Sequence, residues 1–428
     1  MLQAALRSGR AARRSTFEVF ARRLPHGRRY GVVAGTGRLL EAIEHFSFGP
    51  AELEHLNRAG VVDEATCRWL AAYRFRGDVW GYPEGECYFP GSPLLVVQGS
   101  FAEAVVLETL VLSILNFDSA VASAASRMVG AAHGRPCIEM GSRRTHELAA
   151  VAAARAAYLA GFTATSNLEA GRRHGIPTTG TSAHAFTLLH DSEREAFTAQ
   201  VEALGSGTAL LVDTYDVREA VRLAVEVAGP ELGAVRIDSG DLLEQASEVR
   251  RQLDALGATG TRIVVTGDLD EYAIAALTAA PVDGYGVGTS LVTGSGAPTA
   301  GLVYKLVARA AGDDADSPLV PVAKRSAGKP TRGGRKYAQR RRDRSGTAVA
   351  ELVTGAVVTD AVVTAEATST GEDRPLLVPL VRDGEVVGSE PVEAARDRHR
   401  RARAELPLTA SQLSRGEPAI PTYYEESP

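Results

Sequence analysis

Between residues 161 and 290 the chain alternates short apolar runs with longer segments that have helical periodicity. The apolar runs lie at residues 161–166, 209–212, 233–237, 262–265 and 282–287. Repeated alternation of this kind predicts parallel strand–helix–strand units joined by right-handed crossovers. Because several such units follow one another, we expect an α/β fold with an irregular (β/α) barrel rather than an open sheet.

The length of the chain requires more than one packed unit. Its 428 residues fit two or three such units. A long helical pattern over residues 101–132 precedes the alternation, and the sequence changes character again near residue 313. We therefore predict a barrel domain over 101–312. Residues 1–100 and 313–428 are expected to form a second α/β domain together.

Composition argues against several classes of protein. The net charge of −5 is not that of a dedicated nucleic-acid binder. The three cysteines include no CxxC pair, so they are interpreted as reduced thiols. No stretch approaches 18 uninterrupted apolar residues, and the run at 104–117 carries Glu108 and Asn116. We therefore expect a core helix there, no membrane span and a cytoplasmic protein.

Two basic segments need separate interpretations. The Arg-rich start, residues 1–16, is interpreted as an amphipathic helix rather than a transit peptide, because it continues into a half-buried strand at 17–24. The stretch RGGRKYAQRRRDR at 332–344 is interpreted as a solvated, charged hairpin. A nucleic-acid-binding module is the alternative, but the stretch has a single aromatic residue, Tyr337, on which a base could stack.

The apolar runs of the barrel end in acids or glycines. The residues at these ends are Asp213, Asp238, Gly267 with Asp268, and Gly286, Gly288 and Thr289. Carboxyl ends of barrel strands form the active site of such folds, so these groups are expected at one rim. For each aspartate, the alternative is an N-cap of the following helix. Arg236, inside one of these runs, favours a site, because an arginine beside acids in an apolar strand needs a reason.

These residue types suit a phosphorylated sugar. Ionised carboxylates accept hydrogen bonds from adjacent ribose hydroxyls. Mg²⁺ on a pyrophosphate prefers carboxylate oxygens and water. Glycines allow backbone N–H groups to approach a phosphate closely. The sequence therefore predicts a phosphosugar site at the rim.

Two clusters upstream supply further candidates. In GSRRTHE, residues 141–147, paired arginines follow a short apolar strand, where they can hold a planar carboxylate. The alternative is a solvated helix start. In GTSAHAF, residues 180–186, small neighbours leave room around His184. That histidine can act as a nucleophile, an acid–base group or a ligand, and a packed or capping histidine is the alternative.

The motifs together resemble those of the nicotinate phosphoribosyltransferases. The matching segments, in order, are GSRRTHE, ATSNLEAG, GTSAHAF, DTYDV, VRIDSGD, VVTGDLDEY and DGYGVGTS. The resemblance implies an irregular α/β barrel with a second α/β domain built from both chain ends. It also implies a homodimer with shared active sites. The implied reaction joins nicotinate to phosphoribosyl pyrophosphate with Mg²⁺, and couples this to ATP hydrolysis through a phosphohistidine, as the first step of NAD salvage.

The resemblance also implies roles for individual residues. His184 resembles the phosphorylated histidine, Arg143 the contact to the pyridine carboxylate, and Arg236 a residue lining the same pocket. The remaining implied roles are ribose contacts from Asp238 and Asp268, a pyrophosphate and Mg²⁺ contact from Asp213, substrate contact at Gly267, a 5′-phosphate cradle of Gly286, Gly288 and Thr289, and discrimination between acid and amide by Ser166 and Thr178. Related nicotinamide-specific enzymes resemble this chain but have an aspartate near Ser166, which would repel a carboxylate.

The chain departs from the family pattern at two aromatic positions. The family begins with a segment like TDxYxxTM whose tyrosine stacks on the pyridine ring, and this chain starts at Met1 where that segment would be ending. We expect that the start codon has been placed late. The second stacking position, often phenylalanine, is Met140, which can still pack on a ring.

Two other functions compete with this interpretation. Quinolinate phosphoribosyltransferase shares the fold but holds two carboxylates and needs no ATP. A catalytically inactive barrel that acts as a scaffold is the third reading, and it gains weight if the N-terminal tyrosine is absent from the protein.

Overall fold

The computed structural model describes residues 1–314, 316–324, 331–355 and 373–425. The chain forms two compact units, one of Met1–Ala120 with Thr299–Pro428 and one of Val121–Pro298. The sequence-based domain limits lay at 100/101 and 312/313, so helical residues 101–120 and the segment 299–312 belong to the first unit.

The first part of the chain, through the division at residue 120, contains short elements and one long helix. In chain order these are α1 Leu2–Arg7, β1 Arg14–Ala21, β2 Gly31–Val32, α2 Thr36–His45, α3 Pro50–Arg58, α4 Glu64–Ala71, β3 Asp78–Gly81, β4 Cys87–Tyr88, β5 Leu95–Ser100, α5 Phe101–Val106 and α6 Glu108–Ala131. A 3₁₀ turn covers Pro25–Gly27. The predicted first helix is present but ends at Arg7, before the predicted apolar position Ala12, and the predicted helix over 101–132 is interrupted at Leu107.

The second part of the chain alternates strands and helices as predicted. Its elements are β6 Cys137–Glu139, α7 Glu147–Leu159, β7 Ala164–Thr165, α8 Leu168–His174, α9 His184–Leu189, α10 Glu193–Leu204, β8 Ala209–Leu211, α11 Val217–Ala228, β9 Ala234–Ile237, α12 Leu242–Ala255, β10 Arg262–Val265, α13 Glu271–Ala276, a 3₁₀ turn Leu277–Ala279, β11 Gly284–Val287 and α14 Thr289–Val292.

The third part returns to β structure. It contains β12 Leu302–Ala310, β13 Leu319–Pro321, β14 Lys336–Arg342, β15 Ala348–Gly355, β16 Asp373–Pro375, β17 Val378–Arg382, β18 Glu385–Val386, α15 Val392–Ala404, a 3₁₀ turn Leu408–Ser411 and β19 Thr422–Glu425. The charged helix predicted over 393–404 is confirmed as α15.

The first unit combines strands from both ends of the chain. Its antiparallel seven-stranded sheet has the order β13-β12-β1-β5-β3-β17-β18, so β1 pairs with β12 and β3 with β17. A four-stranded sheet, β16-β14-β15-β19, lies in the same unit. Seven of the eight residues of β1 are buried. The prediction of a half-buried strand there was wrong, because β1 is a central strand covered on both faces.

The basic stretch at 332–344 is also buried more than predicted. It does form a hairpin, in which β14 pairs antiparallel with β15. However, Arg340 has no exposed side-chain surface and Lys336 is buried. The prediction of a solvated hairpin was therefore wrong, because buried carboxylates of the same unit pair with these cations.

The second unit contains the predicted parallel sheet. The six strands have the order β7-β6-β11-β10-β9-β8, and every neighbouring pair is parallel. The sheet curls as a half-barrel, which confirms the irregular α/β barrel. Helix α7 is rich in alanine and has nine buried residues, because small side chains allow a helix to pack closely.

One helix within the described residues, α6, is long and apolar enough to cross a membrane by length and composition. However, 61% of its most apolar window is buried inside the protein. Core helices of globular proteins share these properties, and the burial agrees with the predicted core helix.

Candidate active site

The parallel sheet of the second unit brings the residues that follow its strands to one edge. A cleft of about 550 Å³ lies there. Its lining comprises Met140, Ser142, Arg143, Arg144, Ser166, Gly180, Thr181, Ser182, Ala183, Arg236, Asp238, Thr266, Gly267, Asp268, Gly286, Gly288 and Thr289. Nine of the twelve candidate residues line this cleft. His184 and Asp213 lie directly beside it, and Thr178 lies apart.

A pair of aspartates follows each of three strands, and only one aspartate of each pair caps the next helix. The second member caps the next helix: Asp216 accepts from Glu219 N at 2.8 Å, and Asp241 and Asp270 accept from the first turns of α12 and α13. The first member of each pair, Asp213, Asp238 or Asp268, caps no helix. The N-cap alternative therefore applies only to the second aspartate, and the first remains available to a ligand.

Arg236 and Asp238 form the polar centre of the cleft. Arg236 Nη2 donates to Asp238 Oδ1 at 2.8 Å, and its other nitrogens donate to the hydroxyls of Thr266 and Thr181 at 2.8 and 2.7 Å. The Thr266 hydroxyl also donates to Asp238. Burial opposes ionisation of Asp238, but these hydrogen bonds and the Arg236 charge outweigh it and lower its pKa. Asp238 is therefore an anion with Oδ2 free of this network.

His184 lies between two strand-end carboxylates. Its Nε2 is 3.8 Å from Asp213 Oδ1 and 3.9 Å from Asp238 Oδ2, and its Nδ1 is 3.2 Å from Thr214 Oγ1. Asp213 Oδ2 accepts from Asp238 N and Ser239 Oγ. Asp213 Oδ1 is buried and has no hydrogen-bond partner among the described residues. The ring, 40% exposed, is thus neither a packed nor a simple capping histidine.

The GSRR loop presents its arginines to solvent. Arg143 is exposed and, within the described part of the chain, forms no hydrogen bond or ion pair. The loop is anchored from below by Glu139, the last residue of β6, which has 0% exposure. Glu139 accepts from Gly141 N and from the Thr165 hydroxyl. Burial raises the pKa of Glu139, and these two hydrogen bonds partly offset it.

Gly286 is required by close packing under the cleft. A Cβ added there would lie 2.4 Å from Thr266 Cγ2 and 2.7 Å from Met140 Sδ. Gly288 and Thr289, which follow β11, line the cleft with Gly267, whose φ of +130° suits glycine. This arrangement leaves room for a phosphate at the end of β11.

The two residues implied in discrimination between acid and amide occupy different places. Ser166, at the end of β7, lines the cleft. Thr178 forms a backbone bridge with Thr165, and its methyl group lies 2.4 Å from a Cβ built on Gly171. Thr178 is therefore not in the cleft wall.

Sequence reasoning did not assign roles to Glu139, Thr181, Thr214 or Thr266. The hydroxyls of Thr181 and Thr266 orient Arg236, and that of Thr214 contacts His184. Threonine beside a catalytic motif carries no sequence signal of its own. Glu139 did carry a sequence signal, because it is a charged residue within the short apolar segment CIEMG.

The cleft fits a divalent cation only together with a substrate. Among the described residues, no group of three or more His, Cys, Asp or Glu side chains could hold a metal. The orphaned Asp213 Oδ1 and the nearby Asp238 Oδ2 supply two carboxylate oxygens. Mg²⁺ is commonly bound by one or two carboxylates with substrate phosphates and water completing its shell. The donor set is therefore compatible with Mg²⁺.

A parallel α/β sheet with acids, an arginine and a glycine-rich turn at its carboxyl edge defines an enzyme class that binds phosphorylated ligands. Residues 1–116 match the family model described as nicotinate phosphoribosyltransferase (NAPRTase) N-terminal domain. Nicotinate phosphoribosyltransferase pncB1 of Mycobacterium tuberculosis is 60% identical over 99% of this chain and 92% of its own length.

Two further comparisons agree. Nicotinate phosphoribosyltransferase of Bacillus subtilis is 37% identical over 71% of this chain and 63% of its own length. The crystal structure of human nicotinic acid phosphoribosyltransferase superimposes with a TM-score of 0.81 and 26% identity, covering 99% of this chain and 96% of the other. The chain belongs to the nicotinate phosphoribosyltransferase family, which confirms the resemblance inferred from its motifs.

Proposed function

We propose that this protein catalyses the transfer of a phosphoribosyl group from phosphoribosyl pyrophosphate to the ring nitrogen of nicotinate. The products are nicotinate mononucleotide and pyrophosphate, and the reaction is the first step of NAD salvage from nicotinate. The observation that carries this proposal is the cleft at the strand ends of the second unit. There, acids, glycines and a partnerless arginine converge in a chain with 60% identity to a nicotinate phosphoribosyltransferase.

Each substrate group has a matching set of residues. Arg143, which is exposed and unpaired, supplies a guanidinium fork for the nicotinate carboxylate, and Ser166 lines the same cleft as a neutral residue. Asp238 and Asp268 accept from the ribose hydroxyls, and Gly267 allows the backbone to approach. The turn of Gly286, Gly288 and Thr289 receives the 5′-phosphate.

The transfer requires the protein to position the two substrates and to stabilise charge, and no residue has to bond covalently to the sugar. As the ring nitrogen attacks the anomeric carbon, the bond to pyrophosphate breaks and positive charge develops on the sugar. Asp238, held ionised by Arg236 and Thr266, would stabilise that charge. Mg²⁺ near Asp213 would neutralise the leaving pyrophosphate.

We propose that ATP drives the reaction through His184. One imidazole nitrogen accepts the terminal phosphoryl group of ATP, releasing ADP, and water later removes that group as phosphate. The carboxylates of Asp213 and Asp238 beside Nε2 stabilise the charge that the ring gains as it is phosphorylated. A phosphohistidine at the cleft also adds negative charge that organises a cation.

The wider setting of the enzyme follows from the same family membership. We propose a cytoplasmic homodimer whose sites are completed by both subunits, with no nucleic-acid or membrane partner. The two compact units are proposed to be the barrel domain and the domain built from both chain ends.

The test is product formation with nicotinate, phosphoribosyl pyrophosphate and Mg²⁺, with and without ATP. We expect nicotinate mononucleotide, formed faster with ATP, and loss of that stimulation in His184→Ala. His190→Ala is the matched control, because His190 hydrogen-bonds only to Phe186 O among the described residues and lies outside the cleft. Product from quinolinate that is independent of ATP would support the competing transferase instead, and no product from a folded protein would leave the scaffold function.

A further inference from the structure

Glu139 is a buried acid for which the proposed chemistry has no use. It is the last residue of β6, has 0% exposure and does not line the cleft. Within the part of the chain that the structure describes, it forms no ion pair. A buried carboxylate without a cation is costly unless donors satisfy its oxygens. The hydrogen-bond donors to Glu139 therefore indicate the role of this residue.

The two donors belong to two different loops. Gly141 N, in the loop after β6, donates to Oε1, and the Thr165 hydroxyl, at the end of β7, donates to Oε2. Ser166 N adds a bond of 2.8 Å to the backbone oxygen of Glu139. The same residue thus holds both loops, one through each carboxylate oxygen.

A second set of hydrogen bonds links the segment after β6 to the segment after β7. Thr165 Oγ1 accepts from Asn167 N at 2.9 Å, and Asn167 Nδ2 donates to Ser142 Oγ at 3.0 Å. Gly141 passes so closely over the acid that an added Cβ would lie 3.0 Å from Glu139 Oε1 and 2.2 Å from Val292 Cγ1. A side chain larger than hydrogen at Gly141 would therefore clash with its surroundings.

The connected loops carry the two side chains proposed to read the substrate carboxylate. Arg143 is two residues from Gly141, and Ser166 directly follows Thr165. Neither side chain has a hydrogen-bond partner among the described residues, so the backbone that Glu139 holds sets where each side chain begins. A misplacement of about 1 Å in such a group can cost roughly 100-fold in rate.

We propose that Glu139 is a positioning residue that sets the separation of Arg143 and Ser166, and thereby the preference for a pyridine carboxylate over a pyridine carboxamide. This inference rests on the proposed function. It assigns a specificity role to a residue that does not contact the substrate.

The test compares variants of this network in equilibrium binding of nicotinate and nicotinamide, and in steady-state kinetics. In Thr165→Val and Glu139→Gln, we expect nicotinate binding to weaken roughly 10-fold or more and the nicotinate-to-nicotinamide ratio to fall by a similar factor, as for loss of a charge-assisted contact. The KM for phosphoribosyl pyrophosphate should stay within about 3-fold. Thr165→Ser, which keeps the hydroxyl, should restore the wild-type ratio.

Glu271→Gln is the matched control. Glu271 is another buried acid of the same unit, but it bonds to Arg127 and Ser295, away from the two loops. It should lower the melting temperature and leave the ratio unchanged. If Thr165→Val and Glu139→Gln lower the melting temperature while both substrates weaken in parallel, Glu139 is only structural and the inference fails. A wild-type protein that binds nicotinate but forms no product would overturn the proposed function, and the binding ratio would still decide the role of Glu139.

Discussion

The two units each contain a cavity of similar size lined by charges, and they differ in how those charges are paired. The charged residues that line the cavity of the first unit, about 480 Å³, are Glu84, Glu86, Arg374, Glu390, Arg398, Arg401 and Glu405. Arg374 bonds to Glu86 and Glu405, and Arg398 to Glu390, so most of its charges are paired within the wall, and Arg401 is exposed to solvent. The cleft of the second unit, about 550 Å³, contains charges with no such partners.

Several unpaired charges at the second cleft are ones that the proposed reaction uses. Arg143 and Asp268 have no partner among the described residues, and Asp213 keeps one buried carboxylate oxygen unbonded. Water hydrates the exposed Arg143 and Asp268, whereas the buried Asp213 Oδ1 is costly unless a ligand completes it. The two cavities therefore differ in the share of their charges that is paired.

The largest expected effect lies in the buried network of the first unit. Arg340, fully buried, donates to Glu351 at 2.6 Å, and Glu351→Ala would leave that cation without its closest partner. We expect a loss of about 3–5 kcal/mol in the free energy of unfolding, measured by denaturant titration. The double variant Arg340→Met with Glu351→Leu should recover most of it. A loss below about 1 kcal/mol would show that pairing in this unit contributes little.

The next effect tests the packing beneath the cleft. Gly286→Ala should cost about 1–3 kcal/mol, because its Cβ meets Thr266 and Met140. Gly284→Ala on the same strand is the control, since its nearest contact would be 3.4 Å, an ordinary distance. Thermal unfolding of both variants makes the comparison, and equal melting temperatures would contradict the close approach.

The unpaired acid of the cleft should affect activity and not stability. Asp268→Asn is expected to lower kcat/KM for phosphoribosyl pyrophosphate roughly 10- to 100-fold, the value of a hydrogen bond to a charged group. Its unfolding free energy should change by no more than about 0.5 kcal/mol, because Asp268 is exposed and bonds to nothing described. If the variant were destabilised but fully active, Asp268 would have a structural role and no role in the reaction.

The smallest effect concerns an acid of the second unit that lies away from the cleft. Glu193 is 8% exposed and its Oε1 has no partner among the described residues. Burial, with the charges of Asp216 and Glu219, raises its pKa from 4.5 to about 7. The folded state therefore binds the proton more tightly than the unfolded state. The contribution of Glu193 to the free energy of unfolding is fully present below about pH 4.5 and is lost as the pH rises through about 7.

In Glu193→Gln that loss disappears. The melting temperature of the variant should exceed that of the wild type by a few degrees at pH 7 and match it near pH 4.5. A constant difference across this range would show that Glu193 does not titrate there.

The alternation of strands and helices along the chain and the residues at the strand ends were predictable from the sequence, because hydrophobic periodicity is a local property. The pairs Asp213 with Asp216 and Asp238 with Asp241 were visible, but sequence alone did not tell which member caps a helix. That choice depends on where each helix begins, to within one residue, and helix starts are set by packing.

Burial of the charged hairpin and of β1 was predicted wrongly for a related reason. Local patterns at 17–24 and 332–344 do not record which distant segment will contact each strand, as Lys336 of β14 contacts Glu18 of β1. The cations of β14 find Glu18 and Glu351, residues 318 and 11 positions away, only in the folded unit.

By itself, the sequence determined the α/β alternation, the family and the set of groups at the rim, since each depends on residue types within short segments. Only the tertiary structure decided which charges are paired and which are left for a ligand. It joined Glu139 to Thr165, 26 positions apart, and set His184 beside Asp213 and Asp238. Pairing depends on distances of a few ångströms between segments far apart in the chain, and these are fixed only when the sheet forms.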